Sequence, residues 1–148
     1  MSEQYIIKLS SCDQKSPIGN KARSLLALYN RQYNIPDTHI CTFEAYSSFL
    51  ANPDKTEIMI HDELTKLLDP LKAYAVRSSS NLEDGNDHSY AGLFTTVLNV
   101  KGIKQVAVAI KAVWKTADSD SVKSYIRQLD LNADNFPLGV ILQEIIPA

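Results

Sequence analysis

Apolar positions along the chain fall into short runs separated by proline, glycine and asparagine, and their period switches between two and about 3.6 residues. Tyr5-Ile6-Ile7-Lys8-Leu9 predicts a short strand. Ser16-Pro17-Ile18-Gly19-Asn20 predicts a turn into a helix from about Lys21 to Tyr33, with Ala22, Leu25, Leu26 and Tyr29 at helical spacing. Ile35-Pro36-Asp37 breaks that helix, His39-Ile40-Cys41 predicts a strand, and Thr42 is placed to cap a helix carrying Phe43, Tyr46, Phe49 and Leu50. After Asn52-Pro53-Asp54 a third helix covers Lys55 to Leu68, using Ile58, Met59, Leu64, Leu67 and Leu68, and Asp69-Pro70 stops it.

In mid-chain, Ala75-Val76-Arg77 reads as an apolar strand ending on an arginine, Ser78-Ser79-Ser80 as the start of a mobile hydroxyl-rich loop, and Tyr90-Ala91-Gly92 as a small-residue turn into a second strand through Val100. Ile103, Val106, Ala107, Ile110, Val113 and Trp114 then define an apolar helical stripe, with Lys104, Lys111 and Lys115 on a solvated face. A further helix spans about Ser119 to Leu129, and Gly139 to Ile146 closes as a strand. Trp114, Tyr29 and Tyr46 read as core residues. The last strand is apolar enough to need a sheet around it, yet only Pro147 and Ala148 follow. It is therefore expected at an exposed edge or paired with another copy, as in a chain cut short. These elements give a mixed α/β class (α+β), one unit with a mixed sheet flanked by helices.

Composition narrows the function classes. With 148 residues, 45% of them hydrophobic and 22% charged, the chain can bury one core and does not read as disordered. A net charge of −2 provides no field for gathering nucleic acid, so a bound anion must be held by a few placed cations. Cys12 and Cys41 are isolated, no basic-then-apolar leader opens the chain, and no apolar run approaches the roughly 18 residues of a membrane span. The expectation is a cytoplasmic protein with neither membrane nor nucleic acid as partner.

Candidate chemistry centres on the mid-chain hairpin, which has the makings of a polyphosphate cover. Arg77 supplies a planar, bidentate cation, and the N–H groups at Ala91 and Gly92 can approach anionic oxygens. The plainer reading of Arg77 is a salt bridge to Glu83 or Asp84. Lys21 opens a helix, where the dipole disfavours a cation unless an anion is bound there. Glu83, Asp84, Asp87 and His88 have no spacing that converges on a metal and read as a polar loop, so no metal site is expected.

Ordered blocks of the chain resemble the nucleotide-binding domain of the phosphoenolpyruvate synthase and pyruvate phosphate dikinase family, an ATP-grasp fold. They are Gly19-Asn20-Lys21-Ala22, Ile35-Pro36, Thr42-Phe43-Glu44-Ala45-Tyr46, Val76-Arg77-Ser78-Ser79, Glu83-Asp84, Ser89-Tyr90-Ala91-Gly92 with Thr96-Val97-Leu98-Asn99-Val100, Ala109-Ile110-Lys111-Ala112-Val113-Trp114, and Val140-Ile141-Leu142-Gln143-Glu144-Ile145-Ile146-Pro147. The resemblance implies that Lys21 and Arg77 contact ATP phosphates, Arg77 in the catalytic role, and that Gly92 and Thr96 belong to the phosphate-covering hairpin. It also implies that Gln143, Glu144 and Ile145 lie where backbone groups read the adenine edge, with Ile141 or Ile145 packing on its face. Asn20 departs from the family's second glycine, and Leu93-Phe94 from its glutamine pair.

In that family the magnesium ligands sit in the second half of the ATP-grasp unit, and the phosphohistidine and the phosphoenolpyruvate/pyruvate site occupy other domains. Residues 1–148 thus resemble the N-terminal part of an ATP-grasp domain, with ATP as ligand and Mg2+ expected only in the complete enzyme. A second polypeptide or downstream domains would complete the site. The implied function is the ATP-binding portion of a phosphoenolpyruvate synthase-like phosphotransferase, in which ATP phosphorylates a histidine and then pyruvate or a related acceptor. Alone, the chain is expected to be inactive. The alternative is a non-catalytic module that binds nucleotide or a partner protein.

Overall fold

A computed structural model describes residues 4–13, 15–80, 96–117, 119–128 and 138–146. Its strands are β1 (Ile6–Lys8), β2 (Thr38–Cys41), β3 (Ala73–Ser80), β4 (Thr96–Lys101) and β5 (Leu138–Glu144). Its α-helices are α1 (Gly19–Asn30), α2 (Phe43–Ala51), α3 (Pro53–Leu67), α4 (Ile103–Thr116) and α5 (Asp120–Gln128). The strands form one sheet in the order β1-β2-β5-β3-β4. The α+β class is as the sequence indicates, while the sheet expected to be mixed is antiparallel at each described pairing.

Side-chain alternation along the strands divides the core into two layers. Ile6, Cys41, Val76, Val140 and Leu142 pack with Ile60 and Leu64 of α3 and Val106, Ile110, Val113 and Trp114 of α4. Ile40 and Ile141 turn to the other face and pack with Leu9 and with Ile18, Ala22 and Leu26, at the start of α1 and along it. The α4 stripe is buried as its periodicity predicts, and Trp114 lies tilted against Phe49, with ring centroids 4.7 Å apart. Among the described residues no helix is long and apolar enough to cross a membrane.

Further expectations need correction. The final strand is not an edge: β5 is bonded to β2 on one side and β3 on the other, with Val140 and Leu142 buried on one face and Ile141 on the other. Leu138 to Leu142 are all buried within the chain, so the strand is not left uncovered. Arg77 is not at a strand tip, because β3 continues through Ser78, Ser79 and Ser80, each buried and each paired with β5. A ladder to a central partner outweighs the weak strand preference of serine.

On α3 the inward positions are Thr56, Ile60 and Leu64, and Ile58 points outward at 71% exposure. Thr56 can be buried because its hydroxyl donates to Asn52 O at 2.8 Å and lies 2.9 Å from Ser48 Oγ. Tyr29 is 43% exposed, since the stripe of buried residues on α1 ends at Leu26. Thr42 does stand at the N-cap of α2, but without a side-chain capping bond.

Candidate functional site

The face of the sheet that carries α1 is only partly covered by it. Ile40 of β2 and Ile141 of β5 lie beneath α1, and in the same cross-strand row come Arg77 of β3 and Thr96 of β4. Arg77 is half-buried and Thr96 exposed. Beside them stands the first turn of α1, which carries Lys21, also half-buried. Arg77 and Thr96 are thus direct neighbours, and Lys21 belongs to the helix on the same face.

Close backbone contact sets the height of α1 over β3 and β5. Gly19 has φ +85°, and a Cβ there would lie 2.5 Å from both Ser79 O and Ser79 Oγ. A Cβ on Gly139 would fall 3.1 Å from Ser79 O and 3.3 Å from Ile18 O. Glycine therefore serves at both positions for approach, and at Gly19 also for left-handed backbone geometry. The Ser79 hydroxyl fills the contact, donating to Ile18 O at 2.6 Å and accepting from Ala22 N at 3.1 Å. Ser79 lies two residues beyond Arg77, on the same face.

The C-terminal candidates are divided between the faces. Gln143 is opposite Ala75 and Thr38, on the Arg77 face, and its Nε2 donates to Thr38 Oγ1 at 3.1 Å. Glu144 pairs with Tyr74 in the ladder, which turns its side chain to the opposite face, and its Oε2 accepts from Lys72 Nζ at 3.3 Å. That bond raises the Lys72 pKa above its usual value. The N–H of Glu144 donates to Asp37 O and that of Ile145 to Ala73 O, both at 2.9 Å, so carbonyl oxygens with a spare lone pair are what these residues offer a base edge. Ile141 is 1% exposed in the layer beneath α1 and so offers no open face to a ligand, whereas Ile145 is half-buried. Gly92, the Ala91 turn and the acidic stretch with His88 lie outside the described residues.

Two features escaped the sequence reading. Ser79, which the sequence pattern assigns to a loop, is a strand residue, and Gly139 stands opposite it in the register. The signal was the coincidence of a serine run after Arg77 with glycines at positions 19 and 139, which has meaning only once the strand order is known. A separate groove of about 460 Å³ lies on the other side of the sheet between α3 and α4, lined by Ile58, Ile60, Ala107, Val108 and Trp114 among others, away from Arg77. Among the described residues no three His, Cys, Asp or Glu side chains gather as a metal centre would require.

Comparison with known proteins places the chain in a family. The model of the pyruvate phosphate dikinase AMP/ATP-binding domain matches residues 53–148, which include Arg77, Thr96 and Gln143 to Ile145. The chain is 26% identical over 96% of its length to the uncharacterized phosphotransferase YvkC of Bacillus subtilis, covering 20% of that protein. It is 26% identical over its whole length, Lys21 included, to the prodigiosin synthesizing transferase PigC of Serratia marcescens, covering 19% of it. Identity reaches 45% over 53 residues with the phosphoenolpyruvate synthase of Escherichia coli, a match covering 36% of the chain and 7% of that enzyme. The chain thus spans about a fifth of the length of the first two relatives. With about two thirds of its residues inside the matched model, this chain belongs to the pyruvate phosphate dikinase AMP/ATP-binding domain family.

Proposed function

We propose that the chain binds the phosphates of ATP on the β3–β4 half of the α1 face, between Arg77 and the first turn of α1. The observation that carries this reading is the common face: Arg77 and Thr96 stand side by side, and the helix bearing Lys21 is fixed to the same strand two residues further on. Arg77 would take two phosphate oxygens in its guanidinium plane, Lys21 would add a point charge, and Thr96 a hydroxyl. The two cations, Arg77 and Lys21, fit a polyphosphate: each is half-buried, so that screening by salt is reduced while neither is fully withdrawn from water. The adenine would lie toward Gln143 and Ile145, and Gly92 would complete the cover over the phosphates.

ATP supplies a transferable phosphoryl group. Its transfer needs metal ions on the β- and γ-oxygens, and the described residues present no ligand set that fits one. The proposed role is the nucleotide-holding part of an ATP-grasp phosphotransferase acting in the cytoplasm, with Mg2+, the phosphorylated histidine and the acceptor, pyruvate or a related molecule, engaged by other domains or another polypeptide. A non-catalytic nucleotide-binding module would use the same site.

Calorimetric titration of ATP into the 148-residue chain tests the proposal. The wild type should release heat. Arg77→Ala should bind about 10- to 100-fold more weakly, the loss of one or two charge-assisted hydrogen bonds, and Lys21→Ala about 10-fold more weakly. Equal affinities for the three proteins, or no heat from the wild type, would overturn it.

A further inference from the structure

In α3 and α4 the first helical turn closes directly, by Thr56 N to Asn52 O at 3.1 Å and Val106 N to Gly102 O at 3.0 Å. The corresponding pair in α1 is Ala22 N and Ile18 O, four residues apart, and here the Ser79 hydroxyl stands between them, accepting from one at 3.1 Å and donating to the other at 2.6 Å. The turn that contains Lys21 is therefore built around a side chain of the strand that contains Arg77. We propose that Ser79 is the positioning residue of the site, setting the reach of Lys21 relative to Arg77. This rests on the phosphate-binding reading above.

Three observations favour a positioning role over simple packing. A helix start needs no serine from another element, since its first pair can bond directly, as α3 and α4 do. The two bonds grip residues 18 and 22, on either side of Lys21, so the lysine backbone cannot slide or rotate relative to β3 without breaking one of them. The bridge is also enclosed: Ser79 is fully buried, and Gly19 and Gly139 bring backbone so close that no Cβ fits at Gly19. Arg77 and Ser79 are about 7 Å apart along one strand and face the same way. Arg77 and the anchor of Lys21 thus move as one body. Without the hydroxyl both bonds are lost, and the first turn of α1, Lys21 with it, is free to shift relative to β3 and Arg77.

A double-mutant cycle read by ATP titration into the 148-residue chain decides the matter, using wild type, Ser79→Ala, Lys21→Ala and the double variant. Ser79→Ala should weaken ATP about 10-fold, and in the Lys21→Ala background the same change should cost less than about 2-fold, because Ser79 acts through the lysine. Full additivity would mean that Ser79 is only structural and would overturn the inference. If wild type binds ATP and Lys21→Ala weakens it, while Ser79→Ala binds like wild type, the positioning claim alone fails. If wild type binds no ATP, the phosphate-binding reading fails and this claim with it. Should Ser79→Ala not melt cooperatively, Ser79→Cys replaces it in the cycle. The thiol keeps the contact with weaker hydrogen bonds, and the same loss of effect without Lys21 is expected, additivity again being the contrary result.

Discussion

Gly19 bears the closest backbone approach of the site, which only a residue without a Cβ can make. Any side chain there meets both a left-handed φ and a carbonyl 2.5 Å away, so Gly19→Ala should lower stability by about 2 kcal/mol or more, measured by urea unfolding. A change below about 0.5 kcal/mol would show that α1 can lift off Ser79 freely. His39 gives a pH signature. It is buried between Lys8 and Leu142, its Nδ1 has no hydrogen-bond partner, and burial lowers its pKa below 6.5, a shift that nearby Asp37 opposes and Lys8 reinforces. The unfolded chain therefore binds the proton more readily. This contribution to stability is intact above about pH 6.5 and is lost as pH falls toward the lower folded value. Unfolding of wild type and His39→Gln at pH 7.5 and 5.5 should show the steeper acid loss in wild type, and parallel losses would refute the assignment. Arg77 and Lys21 stand out in the sequence as candidate cations, whereas Ser79 does not, because its meaning depends on which backbone lies above it.

Elements were legible where local pattern alone decides them. The α4 stripe packs on the core as its spacing indicates, with Val106, Ile110, Val113 and Trp114 buried and Ile103 and Ala107 partly so, and α3 starts at Asn52 and Pro53 through a side-chain cap to Lys55 N at 3.3 Å. The facing of α3 was not legible, because a hydrogen-bonded threonine replaced an apolar residue at an inward position, and neither was the place of β5, because strand order depends on pairings between residues far apart in sequence. The edge strand β1 is secured from outside the sheet: the Glu63 carboxylate on α3 accepts from Tyr5 N and Ile6 N, each at 2.9 Å. Glu63→Ala should leave these donors to water, loosen β1 and cost about 2 kcal/mol. Amide exchange should then accelerate at Tyr5 and Ile6 while the β3–β5 ladder stays protected. Unchanged exchange at those two amides would show that β1 holds by packing alone.

At the scale of the molecule, the two faces of the sheet have different work. α2, α3 and α4 enclose the larger apolar layer around Trp114, and α1 covers part of the other face, leaving Arg77 and Thr96 beside its first turn. The sequence conveyed the family and the cationic residues through short ordered blocks, but the sharing of one face by Arg77 and the α1 helix required the strand order and the Ser79 contact. The most direct test is to map backbone amide NMR shifts of the 148-residue chain during titration with ATP. The largest changes are expected at residues 19–23, 77–79 and 96, with smaller ones at 143–145. Shifts concentrated instead on the α3–α4 groove, around Ile58, Val108 and Lys111, would contradict the assignment of the nucleotide to the α1 face.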